Sequence, residues 1–118
     1  MAAIVGNNSF GRHNRLSGRT NFIRLLTPRY GSKRLKGKFC DLYYMPEEKA
    51  TPRFGIRVTR TAGNAVSRNR IKRIIRESLR KSKNNWPQSM SIVISVSKPP
   101  ENEYGLIGEI EDMLRSIK

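Results

Sequence analysis

The chain has one cysteine, one histidine and nine carboxylates in 118 residues, and each scarcity closes off a class of chemistry. Cys40 has no second thiol, so neither an intrachain disulfide nor a multi-cysteine zinc site is available, and such thiol usage suits a reducing, cytoplasmic compartment. His13 is solitary and sits in a Gly- and Asn-rich opening stretch, where a surface role outweighs catalysis. No histidine is left in the folded part to activate a serine or the thiol. The acids include two adjacent pairs, Glu47 with Glu48 and Glu111 with Asp112, which read as a turn and an exposed helix face. Neither resembles the converging carboxylates that hold Mg²⁺. No run approaches the roughly 20 apolar residues of a membrane span, and residues 1–9 lack the basic start and apolar stretch of a signal peptide. The expectation is a soluble, cytoplasmic, single-domain protein with no self-contained active site, no membrane and no small-molecule substrate.

Positive charge is what the chain has in excess: 24 Lys and Arg give a formal net charge of +15. Self-repulsion on that scale opposes compaction and is normally offset by a polyanionic partner. Residues 1–98 hold 22 of the cations against four acids, whereas residues 99–118 hold two against five, so the last segment faces something other than phosphate. The densest stretch is 63–80, GNAVSRNRIKRIIRESLR, with six cations and one acid. Wound as a helix over 67–83, it places Ile71, Ile74, Ile75 and Leu79 on one stripe and Asn69, Arg73, Arg76 and Arg80 on the opposite one, flanked by Arg70 and Lys72. Asn64 or Ser67 caps its first turn. One side anchors and the other is free to bind RNA.

Along the chain, residues 1–14 read as a flexible basic segment and 15–118 as one domain. A short helix over 21–26, capped by Thr20 and ended by Pro28, carries Phe22, Leu25 and Leu26; a basic loop follows at 29–38. Strands are expected at 39–45, at 53–59, where Phe54, Ile56 and Val58 alternate with Arg53, Gly55 and Arg57, and at 90–96, MSIVISV. Trp86 reads as a lid on a core edge. The chain ends in a helix whose Leu106, Ile107, Ile110, Met113, Leu114 and Ile117 form a stripe, with Glu109, Glu111 and Asp112 on its solvent side. Of the aromatics able to stack on bases, Phe39 and Phe54 are assigned to the core. Helices over one sheet in an α+β sandwich are the economical architecture.

Residues 65–76, AVSRNRIKRIIR, resemble the RNR motif of the protein subunit of bacterial ribonuclease P. The likeness continues through RLSGRTNFIRLL at 15–26, FGIRVTRTAGN at 54–64 and SIVISVSKP at 91–99, and covers roughly residues 12–117. It implies a two-layer α/β sandwich of order αβββαβα with a left-handed βαβ crossover. It also implies a partnership with a catalytic RNA that removes the 5′ leader of precursor tRNA, using Mg²⁺ in the RNA holoenzyme and no cofactor held by the protein alone. By position, Arg68, Asn69, Arg70, Lys72, Arg73, Arg76 and, beyond the motif, Arg80 would face the catalytic RNA. Phe22, Leu26, Tyr43, Arg57, Thr59 and Arg60 would line a cleft for the leader. The chain departs from many relatives at Leu26, where a second aromatic is common, and at Thr59 to Thr61, where lysines are common. Whether Leu42, Tyr43 or Tyr44 enters the cleft is a one-residue register choice, for which Tyr43 is preferred. The rival readings are a ribosomal or general RNA-binding protein and a DNA binder with a basic recognition helix.

Overall fold

The nearly all-apolar run Met90–Val96 forms the strand on which the others assemble. In the computed structural model, which describes residues 15–16, 19–47 and 52–117, the elements in chain order are α1 (Arg19–Leu26), β1 (Lys33–Lys36), β2 (Asp41–Pro46), β3 (Arg53–Val58), α2 (Ala65–Lys81), β4 (Met90–Val96) and α3 (Glu103–Ser116). The order is αβββαβα, as the resemblance implies. Residues 1–14, with Arg12 and His13, and Glu48 in the acidic turn lie outside the described residues, as does the side chain of Thr20.

The strands form one sheet in the order β1-β2-β4-β3. β1 pairs antiparallel with β2, and β2 antiparallel with β4, Tyr43 lying opposite Val93. β3 runs parallel to β4, with Gly55 opposite Val93. A parallel pair needs a crossover, which α2 supplies. β4 is buried from Ser91 to Val96 because helices cover both of its faces: Ile92, Ile94 and Val96 join the main core with Phe54, Leu42 and the apolar sides of α2 and α3, while Val93 packs with Leu16 and Leu25 under α1. A strand covered twice loses its apolar-polar alternation, hence the continuous run. Trp86 closes the main core: its ring centroid is 4.9 Å from that of Phe54, and its Nε1 donates to the Leu79 carbonyl at 2.9 Å. The buried ring therefore leaves no polar group unpaired.

Two features of the turn between β1 and β2 differ from the expectations. The basic loop at 29–38 contains β1, whose KRLK sequence has little strand character and is held by pairing along one edge of β2. Glu109, expected on the solvent side of α3, turns its carboxylate inward and accepts the backbone N–H groups of Lys38, Phe39 and Cys40 at 2.8, 2.8 and 2.9 Å. The tight turn between β1 and β2 leaves those donors pointing one way, and a carboxylate satisfies all three better than strand pairing can. A Cβ at Gly37 would overlap the Glu109 carboxylate and the Met113 methyl, which would have to shift. Burial, followed by the nearby Glu109 charge, pushes the Cys40 thiol far above its ordinary pKa, so it packs as a neutral apolar group. Glu109→Ala is expected to lower stability by about 2 kcal/mol in urea unfolding, because two part-buried donors and one exposed donor lose their acceptor. Asp112→Ala, which breaks only an exposed pair with Arg115, should stay within about 0.5 kcal/mol; equal losses for the two would refute this role for Glu109.

In α3, Leu106, Ile110, Met113 and Leu114 are buried, with Ile117 just beyond its end, while Ile107 is only half-buried. α2 starts two residues before the sequence suggests, because the Asn64 side chain accepts the Ser67 N–H at 2.9 Å and caps the helix there. No described helix is long and apolar enough to cross a membrane.

Candidate nucleic-acid interface

The polar side of α2 is sorted into three rows by how the helix docks. Ile71, Ile75, Ser78 and Leu79 are buried, and Ile74 is half-buried beside them. Asn69 and Arg73 stand at the middle of the outer side, and among the described residues neither has a side-chain partner. On one flank, the Arg70 guanidinium donates to both Glu103 oxygens, at 2.8 and 3.2 Å, linking α2 to the start of α3. On the other flank, Arg68, Lys72 and Arg76 succeed one another at intervals of four, on the side toward β3. Arg80 pairs with Glu77, holding that carboxyl below its ordinary pKa. Arg70 and Arg80 are thus tied to acids of the protein, but in exposed pairs of small net worth that a phosphate can displace.

On the opposite face of the sheet, α1 packs where the resemblance places the leader cleft. Leu25 is fully buried against it, whereas Phe22 and Leu26 are half-buried and pack beside Tyr43 and Met45. Phe22 approaches so closely that a Cβ on Gly55 would lie 2.6 Å from its ring. The register is settled by the β2–β4 pairing: Tyr43 is on the cleft side, while Leu42 and Tyr44 turn toward the main core. The Arg34 guanidinium sits 5.6 Å above the Tyr43 ring and pairs with Asp41 at 2.7 Å. Arg57 donates to Ser95 Oγ at 3.1 Å and so lies along the sheet. At the rim, the Thr59 and Thr61 hydroxyls share a hydrogen bond of 2.6 Å, and Thr61 donates to the Ser97 carbonyl at 2.6 Å, fixing the turn that exposes Arg60. Phe22, Leu26, Tyr43 and Arg57 therefore meet on one face, with Thr59 and Arg60 at its edge.

Sequence reasoning missed the far end of this face, a hollow of about 230 Å³ lined by Arg34, Lys36, Lys38, Lys98, Ser95 and Ser97 among others. Its only signal was the basic composition of 29–38; which of those cations share a face depends on the pairing of β1. Among the described residues no three of His, Cys, Asp and Glu come together in a way that fits a metal ion.

A family model described as Ribonuclease P matches residues 10–117. The ribonuclease P protein component of Caldanaerobacter subterraneus subsp. tengcongensis is 33% identical over 85 residues, covering 70% of this chain and 73% of the relative. That of Thermus scotoductus is 34% identical over 103 residues, 87% of this chain. The chain spans 57% of the length of the Thermus scotoductus component and 36% of that from Syntrophus aciditrophicus. The solved RNase P protein of Staphylococcus aureus superimposes with a TM-score of 0.77 at 25% identity, over 89% of this chain and 95% of that one. With the whole sheet and the basic helix lying inside the matched stretch, this chain belongs to the bacterial ribonuclease P protein family.

Proposed function

We propose that this chain is the protein component of a cytoplasmic ribonuclease P ribonucleoprotein, an endoribonuclease whose active site lies in its RNA, and that it assists 5′ maturation of tRNA. The observation that carries the reading is the presence of two separate polar surfaces: the unpartnered outer row of α2, and a cleft under α1 with an aromatic pair and cations. The outer row, anchored by Ile71, Ile75 and Leu79, bonds to the backbone of the catalytic RNA through forked guanidinium groups that suit phosphate oxygens. The cleft takes the single-stranded 5′ leader, with Phe22 and Tyr43 as stacking surfaces and Arg57 beside the backbone. Bringing these cations between two polyanions lowers their mutual repulsion, and so raises substrate affinity without any protein group touching the bond cleaved. The Mg²⁺ that supports cleavage belongs to the RNA.

A ribosomal or general RNA-binding protein shares the charge but has no use for a second, leader-sized cleft. Adding the purified chain to bacterial catalytic RNA and precursor tRNA at low Mg²⁺ is expected to restore cleavage; ribosome association without stimulation would favour the rival. Phe22→Ala is expected to spare assembly with the RNA but to reduce the preference for leader-bearing over mature tRNA by about tenfold, the loss of one stacked base. Equal losses on both substrates would remove Phe22 from the leader site.

A further inference from the structure

At the edge of β3, between α1 and α2, lies a hollow of about 180 Å³ that joins the two surfaces. Arg15, Lys72 and Arg76 line it, together with Phe22 from the cleft side. Arg15 is held there by its pairing with Phe54 at the strand edge, where the Leu16 N–H donates to the Phe54 carbonyl at 2.7 Å. Among the described residues none of the three cations has an acidic partner. Three like charges around one small hollow repel each other unless an anion is shared between them. Leu16 and Ile56 are among its apolar lining, so the cations contribute charge and Phe22 an aromatic ring.

We propose that Arg15, Lys72 and Arg76 hold one RNA phosphodiester at this junction, and that it belongs to the substrate leader as it passes from the cleft toward the catalytic RNA. The inference rests on the ribonuclease P reading and divides its basic helix. Lys72 and Arg76 serve the substrate, while Arg73, about 100° around the helix from Lys72, serves the catalytic RNA. Phe22 assigns the phosphate to the leader, because a nucleotide held in the hollow places its neighbour against the ring that closes the cleft, whereas the outer row of α2 points elsewhere.

The test compares a Lys72→Ala/Arg76→Ala variant with Arg73→Ala. Both are titrated with purified catalytic RNA and then, as assembled holoenzymes, with precursor tRNA and mature tRNA at several salt concentrations. The double variant is expected to lose on the order of tenfold more affinity for leader-bearing than for mature tRNA, with a salt slope on the leader-bearing substrate lowered by about 0.7, the share of one single-strand phosphate. Equal losses on the two tRNAs, or a defect confined to assembly, would overturn the assignment and give the phosphate to the catalytic RNA. A defect in assembly for Arg73→Ala combined with an unchanged leader preference in the double variant sinks the junction alone. Failure of the unaltered chain to bind catalytic RNA sinks both ideas.

Discussion

Phe54→Ala is expected to lower stability by about 3–5 kcal/mol, the cost of deleting a fully buried aromatic side chain and leaving part of its volume empty. Phe54 is 1% exposed, stands opposite Ile92 on β4 and meets Trp86 ring to ring. Collapse of Trp86 onto the gap is opposed by the bond from its Nε1 to the Leu79 carbonyl. Total stabilities of small domains are about 5–15 kcal/mol, so this one truncation removes a large share. With a slope near 2 kcal/mol per molar, the urea midpoint should fall by about 2 M. Ile56→Ala, two residues along the same strand but only half-buried, should cost distinctly less. A loss for Phe54→Ala below about 1 kcal/mol would mean that β3 is not packed as described. The consequence reaches function, because the same strand carries Gly55 against Phe22 and holds Leu16 through the Phe54 carbonyl. Loosening it therefore unseats the cleft and the junction together.

What was legible in the sequence is what local pattern determines. β4, α2 and α3 were readable because an apolar run, a helical stripe and a capping Asn each depend on residues within a few positions. The division of α2 into anchoring and exposed sides followed from its 100° periodicity alone. The further division of its cations was not readable, because it depends on the partners the helix meets: Glu103 lies 33 residues from Arg70, and Phe22 lies 50 from Lys72. β1 escaped for the same reason, since KRLK becomes a strand only through β2. Glu109 was misplaced because a solvent-facing carboxylate and one that reaches a distant turn occupy the same helical position. The choice among Leu42, Tyr43 and Tyr44 is a matter of register, which a strand displays only once its neighbours are paired.

Arg73→Ala combined with Arg80→Ala should weaken assembly with the catalytic RNA on the order of fiftyfold near 0.1 M salt and lower the slope of log affinity against log salt by about two, if each guanidinium neutralises one phosphate. The two positions differ in an instructive way. Arg73 has no partner among the described residues, so its removal subtracts one cation. Arg80 is paired with Glu77, so part of its charge is offset before the RNA binds. Arg80→Ala alone is therefore expected to cost no more than Arg73→Ala, its guanidinium also being the less exposed of the two. Glu77→Gln separates these effects: it frees Arg80 for phosphate and removes the nearby negative charge, so it should tighten assembly. Glu77 is held ionised mainly by its hydrogen bond to Arg80, which lowers its pKa, so the native pair is present above the ordinary carboxylate range and fades as pH falls through the lowered value. In acid the unaltered chain should accordingly approach the affinity of Glu77→Gln. An unchanged salt slope in the double variant, or weaker assembly in Glu77→Gln, would show that the outer row of α2 does not contact the RNA backbone.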